Sequence, residues 1–522
     1  MGLMVKNRTI LSIVTDSSCT KVFGRVFIFI LLLVLLVSRN TQDMAEKMFW
    51  LDEVYDFIAV NKSFWEIPKF TIKGAFTQPP LFYWIGHFVA KIGTDPLTLR
   101  SISLASYVVM IGFVTFALRE LQFATRIFLC FVLIMSPFGA YAATEFRPYA
   151  LAALSILISS VLFYRAIKQP SRWLSAISYG LAALAAQYSL TLNCFTFGLQ
   201  MAFLGISILY YGYKVGFKHT FNKYKPLIIV SVPLCIEYVF LINTVMQTGL
   251  KLFPAPQFHL FNYIKALLKN MIVLKEEIIL IRSWALSFAP AFLLLGCITG
   301  LRKHRWITTY LILLFGGQLL VSTFMTYSRI DYPAPQRYFV ASYVAFALLC
   351  AIGAEYFFQH LNRKTAILIV VCLLVTALPG SIISYATSLK TPGFNPITEA
   401  IEGMRCNSRP TVVLSDPGRN AFVAWYAYRD DPLIIVPHHI KNMFPFITVS
   451  VNEISEAASE KHCFILIEGP QGKVDKGAIY KTLASLPGYS QERHSITPGH
   501  VIPDSAWLFT PSGLETHIEK LK

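Results

Sequence analysis

Residues 22–37 read VFGRVFIFILLLVLLV, with Arg25 as the one charged side chain, and Arg39 and Asn40 follow closely. A helix of this composition is nearly long enough to cross the hydrocarbon layer of a membrane, which is about 30 Å thick. Because no small-residue cleavage site follows the stretch, we expect it to stay in the protein as a span rather than to be removed as a signal peptide.

The composition of the whole chain also predicts a membrane protein. Of its 522 residues 55% are hydrophobic and 14% are charged, whereas soluble domains carry about 25% charged residues. The net charge of +17 comes from basic residues that recur in short clusters between apolar stretches. Such clusters are typical of cytoplasmic loops rather than of a surface that binds nucleic acid. We therefore expect the protein to contact membrane lipids and not to bind nucleic acid.

The basic clusters predict the topology, because cytoplasmic loops carry the excess of Lys and Arg. We assign to the cytoplasm Lys6, Arg8, Lys21 and Arg25, then Arg119 and Arg126, Lys168 and Arg172, Lys214, Lys218, Lys223 and Lys225, Arg302, Lys303 and Arg305, and finally Arg363 and Lys364. The predicted spans are 22–38, 101–118, 127–143, 149–167, 174–190, 192–211, 226–246, 284–301, 306–325, 338–357 and 365–386. Residues 1–21 are then a cytoplasmic N-terminus, and the C-terminus is exported across the cell (inner) membrane.

One apolar segment is not counted as a span. Residues 79–93, PPLFYWIGHFVAKIG, are about half as long as a span must be. We expect a helix on the outer membrane surface, with Tyr83, Trp84 and His87 in the headgroup zone. Residues 39–100 then form one long exported loop within a transmembrane domain at 22–389, and residues 145–147 lie on the exported side too.

The composition changes at about residue 390. Residues 390–522 alternate short apolar runs with helix-like segments, which predicts a small soluble α/β domain on the exported side. Its expected strands are 411–415, 433–436 and 464–467, and its expected helices are 419–428 and 475–486. The turn at 416–418 lacks the glycine pattern of a nucleotide site. Cys406 and Cys463 could form a disulfide in an oxidising compartment, whereas the other seven cysteines lack CxxC spacing and are expected in the core.

The strongest chemical signal is the pair Asp52-Glu53, just after the first span. Two adjacent carboxylates near the membrane can provide a general base and a ligand for a sugar hydroxyl. The alternative is structural, because Asp and Glu stabilise the N-terminus of a helix such as 53–61.

The order of several short motifs resembles that of the dolichyl-phosphate-mannose protein mannosyltransferase-like family. The motifs are Leu-Asp52-Glu53, Gln78-Pro-Pro-Leu-Phe-Tyr-Trp84, Leu99-Arg100-Ser-Ile-Ser, Thr144-Glu145-Phe-Arg147-Pro-Tyr149 and Gln336-Arg337-Tyr338. This family belongs to the GT-C superfamily and includes bacterial aminoarabinose transferases. The resemblance covers about residues 20–390, whereas residues 390–522 resemble no family. It implies a polytopic α-helical GT-C-like fold.

The resemblance also implies a reaction. An inverting hexosyl- or pentosyltransferase would move a sugar from a polyprenyl-phosphate donor to a glycan, lipid or protein acceptor at the exported face. Asp52 is our candidate for the general base, and Glu53 would orient the sugar or the acceptor. Arginines would bind the donor phosphate, because a guanidinium presents forked donors. The substrate-binding candidates are Gln78, Arg100, Glu145, Arg147, Tyr149, Arg337 and Tyr338.

Several of these residues have competing interpretations. Many members of the family carry His or Lys where this chain has Gln78, which leaves more of the phosphate binding to arginine. The arginines could instead contact lipid headgroups, or Arg147 could pair with Glu145. Tyr149 and Tyr338 could be interfacial anchors.

Other residues and other functions are less favoured by the sequence. We expect His87 to be structural and residues 275–277, Lys-Glu-Glu, to be a solvated charge run. No cofactor is expected, and a divalent metal is not indicated. A lipid-linked sugar transporter should show inverted repeats and charged residues inside its spans, and we identify neither in the sequence. A polysaccharide polymerase or ligase would also use exported arginines, but it would not require Asp52-Glu53.

Overall fold

A computed structural model describes residues 17–46, 51–73, 78–249, 279–327, 340–362, 364–369, 371–372, 411–415, 434–435, 458–468, 483–495 and 505–511. The chain divides into two compact units. Unit 1 comprises Met1–Gln42, Thr77–Phe82 and Arg100–Lys390, and unit 2 comprises Asp43–Phe76, Tyr83–Leu99 and Thr391–Lys522.

Helices dominate the described part of the chain. They are α1 Ser17–Glu46, α2 Leu51–Val60, α3 Ile67–Lys73, α4 Leu81–Ala90, α5 Pro96–Gly112, α6 Phe123–Met135, α7 Pro137–Thr144, α8 Tyr149–Lys168, α9 Trp173–Ser189, α10 Cys194–Val215, α11 Phe217–Gly249, α12 Ile279–Lys303, α13 Arg305–Tyr327 and α14 Val340–Gln359. A π-helix, Phe113–Ala117, extends α5, and a 3-10 turn, Thr191–Asn193, precedes α10.

Five helical segments within the described ranges are long and apolar enough to cross a membrane. They are Pro96–Ala117, Tyr149–Lys168, Thr191–Val215, Phe217–Asn243 and Val340–Gln359. They overlap the spans predicted at 101–118, 149–167, 192–211, 226–246 and 338–357. The full set of eleven spans stays a prediction, and most of the last one, 365–386, lies outside the described residues.

Two expectations about the spans are wrong. The segment 127–143 is not one helix, because α6 ends at Met135 and α7 begins at Pro137. A proline has no N–H to donate, so it suits the first turn of a new helix. The expectation that spans contain no internal charge is also wrong, because Glu237 lies within the segment Phe217–Asn243.

The centre of unit 1 is helix α14, which is buried along nearly its whole length. Its Gly353 lies so close to α12 that a Cβ there would collide with the carbonyl oxygen of Phe292, and a Cβ on Gly296 would collide with that of Leu349. Small residues at such crossings let two helix backbones approach closely, which is a common way of packing membrane helices. The close approach holds α12 against α14.

Two arginines close the end of α5. Arg126 Nη1 donates a hydrogen bond to the Thr115 carbonyl oxygen at 2.7 Å, and Arg165 Nη2 donates to that of Ala117 at 2.8 Å. The last carbonyls of a helix have no intrahelical partner and carry partial negative charge. Arg126, which the sequence places in a loop, is therefore a buried cap for the π-helix.

Unit 2 contains a five-stranded sheet with the order β2-β1-β3-β5-β4. Its strands are β1 Thr411–Ser415, β2 Ile434–Ile435, β3 Cys463–Glu468, β4 Tyr489–Ser495 and β5 Ser505–Pro511. β1 pairs in parallel with β2 and β3, while β5 pairs antiparallel with β3 and β4. The first three strands lie where the sequence predicts them, whereas β4 and β5 were not predicted.

Two further expectations concern this part of the chain. Cys463, at the start of β3, is disulfide-bonded, as a bridge to Cys406 requires. Cys406, the turn at 416–418 and the helix expected at 419–428 lie outside the described residues, as does most of the helix expected at 475–486.

Candidate functional site

The acidic motif lies on a helix of unit 2. Asp52 and Glu53 are near the start of α2, as the structural alternative for this pair also predicted. The described side chains of this helix begin at Glu53, which is fully buried. One turn further along, Asp56 is fully buried as well. Asp56 was not predicted as a site residue, although it follows Asp52 by four residues and Glu53 by three, a spacing that places side chains on one helical face.

Asp56 is tied to the second motif. Its Oδ1 accepts a hydrogen bond from the Tyr83 hydroxyl at 2.9 Å, and Tyr83 is fully buried. The expectation that Tyr83 lies in the headgroup zone is therefore wrong, because a phenol whose hydroxyl binds a buried carboxylate stays inside the protein. Trp84 is half-buried, and its Nε1 donates to the Phe64 carbonyl at 3.2 Å.

His87 contacts the end of α2 and two aromatic rings, and its structural role stays a prediction. Its Nδ1 lies 2.9 Å from the carbonyl oxygen of Val60 at the end of α2, and its ring packs against Phe64 and Phe88. Together with the bond between Tyr83 and Asp56, this contact fixes α4 along α2. The two motifs at 52–53 and 78–84 are thus joined at their helices.

Two buried arginines lie in unit 1. Arg100, on α5, and Arg147, just before α8, are each 2% exposed. Ser103 lies three residues after Arg100, and its Oγ donates to the Glu145 carbonyl at 2.6 Å and to the Arg147 carbonyl at 3.2 Å. The segment that carries Arg147 is therefore bound to the helix that carries Arg100. Their burial also excludes a simple lipid-headgroup contact for either guanidinium.

Tyr149 orients Arg147. The Arg147 Nη2 and Nε lie 3.2 and 3.4 Å from the Tyr149 hydroxyl, and the guanidinium carbon is 5.5 Å from the centre of the Tyr149 ring. Tyr149 is 2% exposed and belongs to the hydrophobic core. The alternative of an interfacial anchor at Tyr149 is therefore wrong. Glu145 contributes its backbone oxygen to the Arg147 amide at 2.8 Å.

A rigid turn precedes this segment. Ser136 Oγ accepts a hydrogen bond from the Gly139 amide at 2.8 Å, which caps α7. The hydroxyls of Tyr107 and Tyr343 lie 3.1 and 2.8 Å from the Leu133 carbonyl oxygen. These contacts join three helices and fix the start of α7, the helix that leads to Glu145.

Gln78 lies in the same unit. Its Oε1 is buried and has no hydrogen-bond partner within the described part of the chain. The segment that follows packs against the Arg147 region, because the rings of Phe82 and Phe146 are 5.2 Å apart. Unit 1 thus brings together the motifs at residues 78–82, 100–103 and 145–149.

Some candidates cannot be placed. Arg337, Tyr338 and residues 275–277 lie outside the described residues. Within the described ranges, no group of three or more His, Cys, Asp or Glu side chains could hold a metal ion.

Solved structures share the fold of this chain. No protein-family model and no curated protein matches the sequence. The fold is similar to that of ArnT from Cupriavidus metallidurans in the apo state, with a TM-score of 0.53 and 13% identity over 95% of this chain and 100% of ArnT. ArnT from the same organism bound to undecaprenyl phosphate gives 0.53 and 13% over 94% and 99%.

A weaker likeness links the chain to archaeal oligosaccharyltransferase AglB from Archaeoglobus fulgidus, in complex with an inhibitory peptide and a dolichol-phosphate. The TM-score is 0.45 and the identity 12% over 82% of this chain and 62% of AglB, and we draw no argument from it. The likeness to ArnT concerns the fold alone. The motif order predicted the fold of a family that includes bacterial aminoarabinose transferases, and the likeness of fold to ArnT confirms that prediction.

Proposed function

We propose that the protein is an inverting glycosyltransferase that takes a sugar from a polyprenyl-phosphate carrier. The reaction would occur at the exported face of the cell membrane, with the N-terminus in the cytoplasm. The acceptor would be an envelope glycan, lipid or protein. The fold shared with ArnT supports this class, and ArnT has been crystallised with undecaprenyl phosphate.

One observation carries the proposal. Ser103 binds the backbone of the Glu145–Arg147 segment to the helix of Arg100, so that two buried arginines lie on adjoining elements of unit 1. Buried arginines concentrate positive charge where its field is poorly screened, and their forked N–H donors match the oxygens of a phosphate. The N-terminus of α8, which begins at Tyr149, adds positive potential next to Arg147.

The phosphate group also defines what the remaining residues must do. When the bond between C1 of the sugar and the phosphate oxygen breaks, the electron pair leaves with the polyprenyl phosphate. Arg100 and Arg147 stabilise the charge that develops there, so the leaving group needs no proton. The acceptor oxygen forms the new bond to C1 from the opposite face and loses its proton.

A carboxylate must take that proton. Asp52 is the general base in our proposal, and Glu53 orients the sugar or the acceptor. Both residues are on α2, which Asp56 and Tyr83 fix to α4. A helix held at two points keeps a base in a constant position, which is a requirement of efficient proton transfer.

Gln78 has a more specific role in this proposal. Its buried, unpartnered Oε1 needs a hydrogen-bond donor, since a buried acceptor without one costs about 1–3 kcal/mol. A hydroxyl group of the donor sugar supplies such a donor. Gln78 would therefore contribute to sugar selection rather than to phosphate binding.

The experiment is a binding measurement with undecaprenyl phosphate as the probe. We would compare purified wild-type protein with Arg147→Lys, Arg147→Ala and, as a control, Arg172→Ala, because Arg172 is exposed. Lysine keeps the charge but loses the forked geometry, so affinity should fall by about 1–3 kcal/mol. Alanine should weaken binding further, and the control should bind like wild type. Equal affinity of all four proteins would exclude Arg147 from the phosphate site.

A further inference from the structure

The connection between α10 and α11 is a tight turn in unit 1. Helix α10 ends at Val215 and α11 begins at Phe217, so Gly216 alone joins them. Gly216 has a φ of +92°, which glycine adopts without strain, and its amide donates a hydrogen bond to the Gly212 carbonyl at 3.0 Å. A Cβ on Gly212 would collide with the Phe217 ring. The turn therefore fixes the end of α10 against the start of α11.

The length of α11 places this turn outside the hydrocarbon layer. The helix comprises 33 residues and is about 50 Å long, whereas the hydrocarbon layer is about 30 Å thick. The predicted span, 226–246, covers the apolar part of the helix. The part before Pro226 carries Lys218, Lys223 and Lys225. Charged side chains are costly in hydrocarbon, so the start of α11 lies at the level of the lipid headgroups.

Two lysines beside the turn lie over tyrosine rings. The Lys214 Nζ is 4.5 Å from the centre of the Tyr210 ring, and the Lys223 Nζ is 5.9 Å from that of Tyr211. The centres of the two rings are 5.5 Å apart. The face of an aromatic ring attracts a cation. The rings therefore hold two ammonium groups, one from each helix, on the same surface.

The turn between α12 and α13 extends this surface. The ring of Trp306, at the start of α13, lies 5.8 Å from that of Tyr210. Arg305 directly precedes Trp306, and both side chains are exposed. Arg305 and Lys214 are thus next to two rings in contact. We call Lys214, Lys223 and Arg305 the basic patch.

The charges around the basic patch determine which ligand it can take. Residues 206–225 and 299–310, which contain both turns, include no Asp or Glu. Within the described ranges, no ion pair or hydrogen bond joins the side chains of the patch to another residue. At the level of the headgroups, the phosphate of an anionic phospholipid supplies the complementary charge. A zwitterionic lipid also carries an ammonium group, which the patch repels.

Aromatic side chains beside the turn suit the same ligand. Tyr213, Phe217 and Phe221 are exposed. Aromatic rings are enriched at the boundary between headgroups and acyl chains, where one part of the ring contacts the chains. The surface therefore offers cations for a headgroup and rings for the lipid body.

We propose that the basic patch binds an anionic phospholipid in the leaflet at this end of the helices. Lys214, Lys223 and Arg305 bind the headgroup phosphate, and the exposed rings contact the glycerol and the first part of the acyl chains. The positive-inside rule assigns this end to the cytoplasm, whereas the proposed transfer occurs at the exported face. The lipid site does not depend on the transferase activity.

The test is native mass spectrometry of the purified full-length protein. The protein is equilibrated with equal amounts of phosphatidylglycerol, phosphatidylethanolamine and phosphatidylcholine, and the lipids that remain bound are counted. Wild type should retain phosphatidylglycerol in preference to both zwitterionic lipids. The double variant Lys214→Gln, Lys223→Gln should retain about tenfold less phosphatidylglycerol, the effect expected for two basic residues near an anionic group.

A matched control separates the patch from net charge. The double variant Lys62→Gln, Lys91→Gln removes the same charge from two lysines that also lie over rings, 5.5 Å from that of Phe70 and 5.3 Å from that of Phe88. It should retain phosphatidylglycerol as wild type does. An equal loss in both double variants would show an effect of net charge and overturn the proposal.

Further variants keep the test independent of folding. Lys214→Arg, Lys223→Arg preserves both charges and should preserve retention, and thermal unfolding shows whether each variant is folded. Arg305→Gln changes an exposed side chain and should lower retention of phosphatidylglycerol about threefold even if the glutamine double variant does not fold. Wild-type retention of phosphatidylglycerol in folded Lys214→Gln, Lys223→Gln or in Arg305→Gln would overturn the proposal. Equal retention of the three lipids by wild type would overturn it without any variant.

Discussion

The hydroxyl of Tyr83 donates a hydrogen bond to Oδ1 of Asp56, 2.9 Å away, and both side chains are fully buried. The bond joins the helix that carries Asp52 and Glu53 to the helix of the Gln78–Trp84 motif. A buried carboxylate depends strongly on its donors, because an unmet charge inside a protein is expensive. We therefore expect the hydrogen bond between Tyr83 and Asp56 to affect both the stability of the protein and its rate of transfer.

We predict that Tyr83→Phe lowers the free energy of unfolding by about 1–3 kcal/mol, since it removes one donor from a buried carboxylate. Transfer should fall mainly through kcat, because α2 and its base lose a fixed position. The measurements are thermal unfolding and steady-state kinetics. Tyr55→Phe is the matched control, because it removes a hydroxyl from the same helix whose contact with the Phe70 carbonyl is long, at 3.5 Å. A kcat for Tyr83→Phe equal to that of the control would show that the pair has no part in positioning α2.

The bridge made by Ser103 gives a second prediction. Ser103→Ala removes both hydrogen bonds to the Glu145 and Arg147 carbonyls, so Arg147 is held less firmly. Affinity for undecaprenyl phosphate should fall about threefold to tenfold, the effect of one or two neutral hydrogen bonds. Ser106→Ala is the control, because the hydrogen bond of Ser106 to a described residue stays within its own helix, at the Ile102 carbonyl. Identical affinities of the two variants would argue against the bridge.

The start of α5 gives a prediction about pH. The pKa of Asp95 is lowered because the side chain and then the backbone amide of Thr98 donate hydrogen bonds to it. A lowered folded-state pKa means that the ionised cap contributes stability above the ordinary aspartate pKa of about 4. This contribution is lost as the pH falls through the lower, folded-state value.

The measurement is hydrogen exchange of the amides at residues 97–100. Asp95→Ala should speed exchange at pH 7 by the equivalent of about 1 kcal/mol, the usual contribution of a helix cap. Asp95→Asn should change it little, because asparagine also caps helices. The difference between wild type and Asp95→Ala should shrink near pH 3. A difference that is the same at both pH values would show that the ionised carboxylate is not the cap.

The topology gives a prediction for intact cells. We expect Ser63, in the loop 39–100, and Ala484, in the domain 390–522, to face the exported side. Both positions are exposed, so Ser63→Cys and Ala484→Cys should each react with an impermeant thiol reagent in intact cells. The parent protein without an added cysteine is the control. Protection of either site until the membrane is opened would reverse the orientation of that segment.

The sequence was sufficient for the elements whose composition is distinctive. Apolar length predicts the long helices and shows that the segment Leu81–Ala90 is too short to be a span. Continuous apolar runs predict β1 and β3. The break between α6 and α7 was missed because residues 127–143 stay apolar across Ser136 and Pro137. Strand β4, YSQERHS, was missed because its polar residues become a strand only through pairing with β5.

The candidate site likewise has features that the sequence predicts and features that depend on packing. Motif order located Arg100 and Arg147, but neither their burial nor the Ser103 bridge follows from it, since both depend on how α5 packs against the segment before α8. Tyr83 was expected among headgroups because an aromatic residue on a short apolar helix suits that zone. Its burial depends on the contact with α2, which local sequence does not specify. The spacing of Asp56 from Asp52 and Glu53 was a signal that could have been read.

Mass spectrometry of envelope lipids and glycans shows whether the protein transfers a sugar with Asp52 as the base. The cells compared carry wild type, carry Asp52→Asn or lack the protein. We expect a product heavier by one hexose or pentose with wild type, and at least about 10²-fold less of it with Asp52→Asn at equal protein abundance. Spectra that are identical with and without the protein would contradict the transferase claim, and at least half of the wild-type product with Asp52→Asn would exclude Asp52 as the base.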